Sequence, residues 1–147
     1  MKLEERINQD IKISMVEKSA EKLSAIRLIK AAIQVEKAKD GKEVTDEGVI
    51  KLIQKLVNQS NDSATQYNSA GRKDLAEKEL MNVSIYKNYL PEQMSETEVV
   101  EKLKVIISET GASSIRDMGK VMAIVNKDFL GKADMKMVGG IVKNLLT

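Results

Sequence analysis

Gly119-Lys120 carries the clearest chemical suggestion in the chain, because a lysine behind a glycine is how phosphate loops grip a triphosphate. The spacing does not hold. The glycine required five positions earlier is Ser114, and Val121 follows the lysine where a hydroxyl should reach magnesium. No GxGxxG run exists either. Ser113, Ser114 and Lys120 contain the parts of a serine–lysine nucleophile pair. Ser114 is more simply a helix cap, and Lys120 a solvated lysine. The 147 residues include no histidine and no cysteine. That removes the usual zinc ligand sets, the Ser-His-Asp triad and the Cys-His pair. Carboxylates are scattered among lysines at positions that suit helix surfaces, and no acid–base pair stands out. The residues therefore call for no metal and no cofactor, and identify no catalytic group.

What remains is a set of basic side chains, Arg116, Lys120, Lys127, Lys132, Lys136 and Lys143. From Gly111 onward there are six basic and three acidic residues, a local balance of +3; residues 91–110 hold two basic and five acidic, a balance of −3. The whole chain is only +2, so a polyanion-binding reading rests on this local set and not on bulk charge. No aromatic platform accompanies it, which favours phosphates or an acidic partner over base stacking. The plain alternative is that these lysines only solvate helix backs. The polar stretch 58–68 with Arg72 is a second contact surface on the same terms.

The elements that must position these groups all read as helices. Leu3, Ile7, Ile11, Met15 and Val16 mark the stripe of a first amphipathic helix. A second, over 21–39, has a wide apolar face of Leu23, Ile26, Leu28, Ile29, Ala32, Ile33 and Val35, which predicts a central place in a bundle. Lys37, Lys39 and Gly41 close it. Thr45 or Asp46 caps a third helix with Val49, Ile50, Leu52, Ile53, Leu56 and Val57 inward. The polar stretch 58–66 has no proline or glycine, so this helix is expected to continue through it. Ala70-Gly71-Arg72 turns the chain, and Asp74 with Glu77 reads as a capping pair. A fourth helix then runs to Leu90, with Leu75, Val83, Tyr86 and Leu90 on one side, completing a long hairpin.

Pro91 is the only proline. It ends that helix, and Ser95 with Glu98 forms a capping box that starts the next one, with Met94 and Val99 at the staple positions. We therefore expect an N-terminal helical domain over 1–90 and a C-terminal one over 91–147. Beyond the boundary, Val99, Val100, Leu103, Ile106 and Ile107 form a fifth helix ended by Gly111. Ser114 caps a sixth, with Met118, Val121, Met122, Val125 and Phe129 inward and Arg116, Lys120 and Lys127 opposite. Asp134 starts the last, with Val138, Ile141, Val142, Leu145 and Leu146 inward and Lys136 and Lys143 outward. Gly139-Gly140 weaken it by roughly 1 kcal/mol each against alanine. Nothing alternates with period two, so the fold class is all-α.

Composition agrees. Aromatics are 3% and methionines number eight, so the core is aliphatic and methionine-filled. The opening Met1-Lys2-Leu3-Glu4-Glu5-Arg6 lacks a signal peptide's apolar run, and no stretch approaches the ~20 apolar residues of a membrane span. Together with the missing cysteines, this leads us to expect a cytoplasmic chain and no membrane partner.

Tyr89-Leu90-Pro91-Glu92-Gln93-Met94-Ser95, Gly111-Ala112-Ser113-Ser114, Asp117-Met118-Gly119-Lys120-Val121-Met122 and Gly131-Lys132-Ala133-Asp134 resemble the successive signatures of the YqeY family. Arg27, Ala70-Gly71-Arg72 and Asp74-Leu75 are similar to its N-terminal half. The resemblance runs in order over nearly the whole chain. It implies an N-terminal helical bundle with a long hairpin and a small C-terminal three-helix domain. The latter is similar to the tail domain of GatB, a component of the glutamine-dependent aspartyl/glutamyl-tRNA amidotransferase, whose tail helps engage tRNA. The resemblance also implies, as the alternative function, carbon-nitrogen ligase activity with glutamine as amido donor. Two departures from the family pattern are Asn58-Gln59-Ser60, where the family is more basic, and Gly139-Gly140 within the last helix. With no catalytic constellation in the residues, the function expected is a binding module. It engages tRNA or a tRNA-modifying complex through Arg116, Lys120, Lys127, Lys132, Lys136 and Lys143.

Overall fold

The structure, a computed structural model, describes residues 2–147. Seven α-helices follow one another: α1 Leu3–Val16, α2 Ala20–Asp40, α3 Asp46–Ser69, α4 Lys73–Lys87, α5 Glu96–Thr110, α6 Met118–Asp128 and α7 Met135–Leu146. A single 3-10 turn, Ile115–Asp117, precedes α6. The described residues contain no strand, and the fold is all-α. Contacts divide the chain between Pro91 and Glu92 into two compact units.

The first unit holds α1 to α4, and α2 and α3 each touch the other three helices. Its core is aliphatic: Ile7, Ile26, Ile29, Ile33, Val49, Ile53 and Val57 are buried, with Val83, Tyr86 and Tyr89 from the α4 side. Each such side chain contributes about 1.5–3 kcal/mol by leaving water. The buried seam of α3 runs Val49, Ile53, Val57, Ser60, Ala64, stepping by three or four, so the helix does pass through the polar stretch. There the seam narrows to small residues. Ser60 lies on it next to the Tyr86 hydroxyl. The third helix is capped by Thr45, whose hydroxyl accepts from the Gly48 amide at 3.1 Å. Asp46 instead accepts from the Leu3 amide at 3.1 Å, tying down the start of α1.

Several expectations need correction. Met15 and Val16, assigned to the stripe of α1, are exposed, and Ser14 lies buried in their place. The chain turns over residues 17–19 before they reach the core. In that turn the Ser19 amide bonds to the Ser14 carbonyl and the Lys18 amide to the Met15 carbonyl. Lys18 therefore sits at φ 55, the left-handed conformation that glycine usually supplies. Gly71 and Gly111 end α3 and α5 with the same bonding pattern at φ 74 and φ 69. The apolar face of α2 is narrower than its sequence suggests, because Leu28 and Val35 point to solvent. Asp74 does not cap α4 with Glu77. Its carboxylate accepts from the Arg72 guanidinium at 3.2 and 3.1 Å, and that cation holds its pKa below the usual carboxylate value. The same helix stops at Lys87, and Tyr89 continues inward as part of the core.

The second unit is built on α5, α6 and α7, which all touch one another. Val99, Leu103, Ile106, Val121, Val125, Phe129, Val138, Val142 and Leu146 form its core, and Met94, Met118, Met122 and Met135 fill its edges. Ser95 starts α5 by accepting from the Glu98 amide at 3.2 Å. The segment before it is fastened to the turn between α6 and α7. The Met94 amide donates to the Lys132 carbonyl at 2.8 Å, and the Gln93 side-chain amide to the Gly131 carbonyl at 2.6 Å.

Candidate functional site

The six basic side chains all belong to the second unit, and three devices set their directions. The first is the turn after α5. Gly111 reverses the chain, and the Asp117 carboxylate then gathers the amides of Ser113 and Ser114 at 3.0 and 3.4 Å. Those two donors, joined by the nearby Lys120 charge, depress the Asp117 pKa. The closed turn leaves Arg116 pointing to solvent. The second device is α6 itself. Val121, Val125 and, just beyond the helix, Phe129 anchor one side in the core, so Lys120 and Lys127, two turns apart, are exposed on the other. The third is the turn into α7. Gly131 at φ 72 bends the backbone, and Asp134 caps α7 by accepting from the Lys136 amide at 3.0 Å. Lys136 and Lys143, again two turns apart, are exposed.

The structure thus groups the basic residues by helix. Arg116, Lys120 and Lys127 form one stripe and Lys136 and Lys143 another, while Lys132 is half-buried on the turn between them. Exposed Ile124 falls within the first stripe, between Lys120 and Lys127. Among the described residues no ion pair engages any of the six. The first unit pairs four of its cations and leaves others, such as Lys12, Lys22 and Lys51, without an ion pair. There Lys30 and Lys37 share the Glu4 carboxylate at 3.3 and 2.6 Å, Lys37 also reaches Glu43 at 3.2 Å, Lys39 pairs with Glu36 and Arg72 with Asp74. The hydrogen bond from Lys37, with Lys30 beside it, holds the Glu4 pKa below the usual carboxylate value.

Ser113 and Ser114 serve the turn through their backbone amides, and Lys120 stands beside Asp117. The serine–lysine pair suggested by the sequence finds no bond between its members among the described hydrogen bonds. Among the described residues no cluster of three or more histidine, cysteine or carboxylate side chains is placed to hold a metal ion, and no helix is long and apolar enough to cross a membrane.

One polar cluster is not legible in the sequence. The Tyr89 hydroxyl donates to the Asp10 carboxylate at 2.6 Å, the Arg6 guanidinium lies over the Tyr89 ring at 4.8 Å, and Arg6 also donates to the Asn88 carbonyl at 3.1 Å. Burial first, then Asp10, pushes the Tyr89 pKa well above its ordinary value. The only sequence signal is an aromatic residue two positions before the proline. Its partners lie about eighty positions away.

Comparison with known proteins gives the family. The Yqey-like protein family matches residues 4–146. The chain is also 30% identical, over 145 residues, to "Altered inheritance of mitochondria protein 41, mitochondrial" of Pyrenophora tritici-repentis (strain Pt-1C-BFP), covering 91% of this chain and 80% of that protein. A match spanning nearly every described helix makes this chain a member of the YqeY family.

Proposed function

We infer that the chain is a binding module that associates with tRNA, or with a protein complex that modifies tRNA, through the basic helices of its second unit. The observation that carries this reading is that no ion pair among the described residues engages Arg116, Lys120, Lys127, Lys132, Lys136 or Lys143, five of them exposed and all on one small unit, with Asp117 beside Lys120 as the one neighbouring carboxylate whose pKa is perturbed. A cation already bonded to a carboxylate gives up that bond to meet a phosphate, and an unpaired one does not. The resemblance of its sequence motifs to the tail domain of GatB points the same way. Each phosphate neutralised releases counterions, so affinity should fall with salt at a log–log slope of roughly −0.7 to −0.9 per contact.

The test is a tRNA titration over a salt series. Lys120→Ala with Lys127→Ala should weaken binding and flatten the slope by roughly one to two. Lys12→Ala, on α1, should do neither. Absence of tRNA binding by the unaltered protein, or equal slopes for it and the double variant, would sink the RNA reading and leave an acidic protein surface as the partner. Glutaminase activity that survived rigorous purification, assayed with and without ATP and charged tRNA, would instead favour a glutamine-dependent carbon-nitrogen ligase.

A further inference from the structure

The side of α2 that faces away from the first unit's core has a pattern of its own. Ser24, Leu28, Ala31, Val35 and Ala38 lie along it, spaced by four, three, four and three residues. That is the spacing of a helix seam built to meet another helix. Leu28 and Val35 keep 46% and 62% of their surface in water, so the two largest side chains of the stripe are unused by the fold. Small residues alternate with them, which would let a second helix approach closely between the large ones.

We propose that this stripe is the interface of a two-fold dimer in which α2 of one copy packs antiparallel against α2 of a second copy. The stripe is complementary to its own reverse. In the antiparallel register that sets Leu28 against Ala31 of the second copy, Ser24 meets Val35 of the second copy, and the two-fold repeats both layers. The layers from Ser24 to Val35 then each hold one large and one small side chain, and Ala38 falls at the ends beside Glu21 of the second copy. The edges agree as well. On one flank Arg27 comes beside Gln34 of the second copy, a pairing without like-charge repulsion. At each end, Glu21 comes beside Lys39 of the second copy. A groove of about 450 Å³ between α2 and α4 opens at that end, lined by Glu21, Ser24, Asp74, Glu77, Lys78 and Met81, among others. Asp74 there is held by Arg72, which leaves Glu21 and Glu77 against Lys78 to receive Lys39 once it exchanges its exposed Glu36 partner, and the half-exposed Met81 offers apolar cover for the lysine stem. Of the other exposed apolar residues of this unit, Leu80 and Met81 lie on α4, and Ile13, Met15 and Val16 at the end of α1 have no such self-matching order and are no part of the interface.

The experiment is sedimentation velocity on the full chain over a concentration series. The unaltered protein should move from monomer to dimer as concentration rises. Val35→Glu and Leu28→Glu each place two carboxylates in the seam, one per copy, and should raise the dimer dissociation constant at least about a hundredfold. Both sites are exposed, so circular dichroism should show the helices unchanged. Val16→Glu should leave the dissociation constant alone. Glu21→Lys and Lys39→Glu should each weaken the dimer, and the two together should restore it, which a merely structural role for either residue would not do. A chain that stays monomeric at every concentration, a dimer indifferent to Val35→Glu, or a charge exchange that does not rescue would each overturn the proposal.

Discussion

Each of the two units is fastened internally by a different kind of bond. In the first, polar groups far apart in sequence do the fastening: Glu4 with Lys30 and Lys37, Asp46 with the Leu3 amide, and Asp10 and Arg6 with Tyr89. In the second, most of the recorded side-chain bonds are local. Ser95, Asp117 and Asp134 each bond amides within four residues of themselves, and the long-range exception is Gln93 with Gly131. A unit fastened by local caps depends on its apolar core to choose one arrangement of helices. A unit cross-tied between distant residues has a second source of specificity.

The difference can be tested where it is largest. Phe129, the only phenylalanine, is 2% exposed and central to the second core. Phe129→Ala should cost about 3–5 kcal/mol there. Hydrogen exchange should show the amides of α5 to α7 losing protection while those of α1 and α2 keep theirs. Uniform loss throughout the chain would mean that the units do not unfold separately.

Tyr89→Phe addresses the first unit. It deletes the bond to Asp10 and should cost about 1.5–3 kcal/mol, the range for a hydrogen bond to a charged group. The pH response has a definite sign. The folded pKa of Tyr89 lies above the unfolded one, so its contribution is complete below the unfolded value of about 10 and is lost as pH rises toward the folded value. Urea midpoints should therefore fall at alkaline pH, and the variant should show a shallower fall. Tyr86, shifted in the same direction by burial, and Lys37, raised by its bond to Glu4, contribute to what remains.

Smaller effects belong to the caps. Ser95→Ala should destabilise the second unit by about 1 kcal/mol, read as a lower urea midpoint at constant slope. Gly140→Ala should act in the opposite direction. A Cβ at that position meets nothing within 4 Å, so the change should stabilise α7 by up to about 1 kcal/mol, visible as a raised melting temperature. A destabilised Gly140→Ala would mean that α7 uses that open surface in solution.

These contrasts also mark how far the chain can be read. Apolar periodicity places every helix, and Gly41, Gly71 and Gly111 announce their turns because a left-handed residue without a Cβ is the easiest choice there. The turn at Lys18 carries no such mark, so Met15 and Val16 look like part of a stripe that has already ended. Leu28 and Val35 look like core because periodicity reports an apolar face, not what covers it. The Arg6, Asp10 and Tyr89 cluster depends on how α1 lies beside the end of α4, which no local window contains. The basic residues are visible as types. That no ion pair among the described residues engages them follows only from the three-dimensional arrangement.

The outer part of the α3–α4 hairpin has a consequence for motion. From Ser60 outward its buried residues are Ser60, Ala64 and Ala76, so little apolar surface is lost to water when the two helix ends separate. Opening there need not wait for the isoleucine-rich base to melt. Amides of residues 61–80 should exchange with deuterium through brief local openings, and those around Ile53 and Val57 only when the whole unit unfolds. The arm is then a tip whose helices part and close on a rigid stem, able to adjust its shape to a contacting surface at small thermodynamic cost.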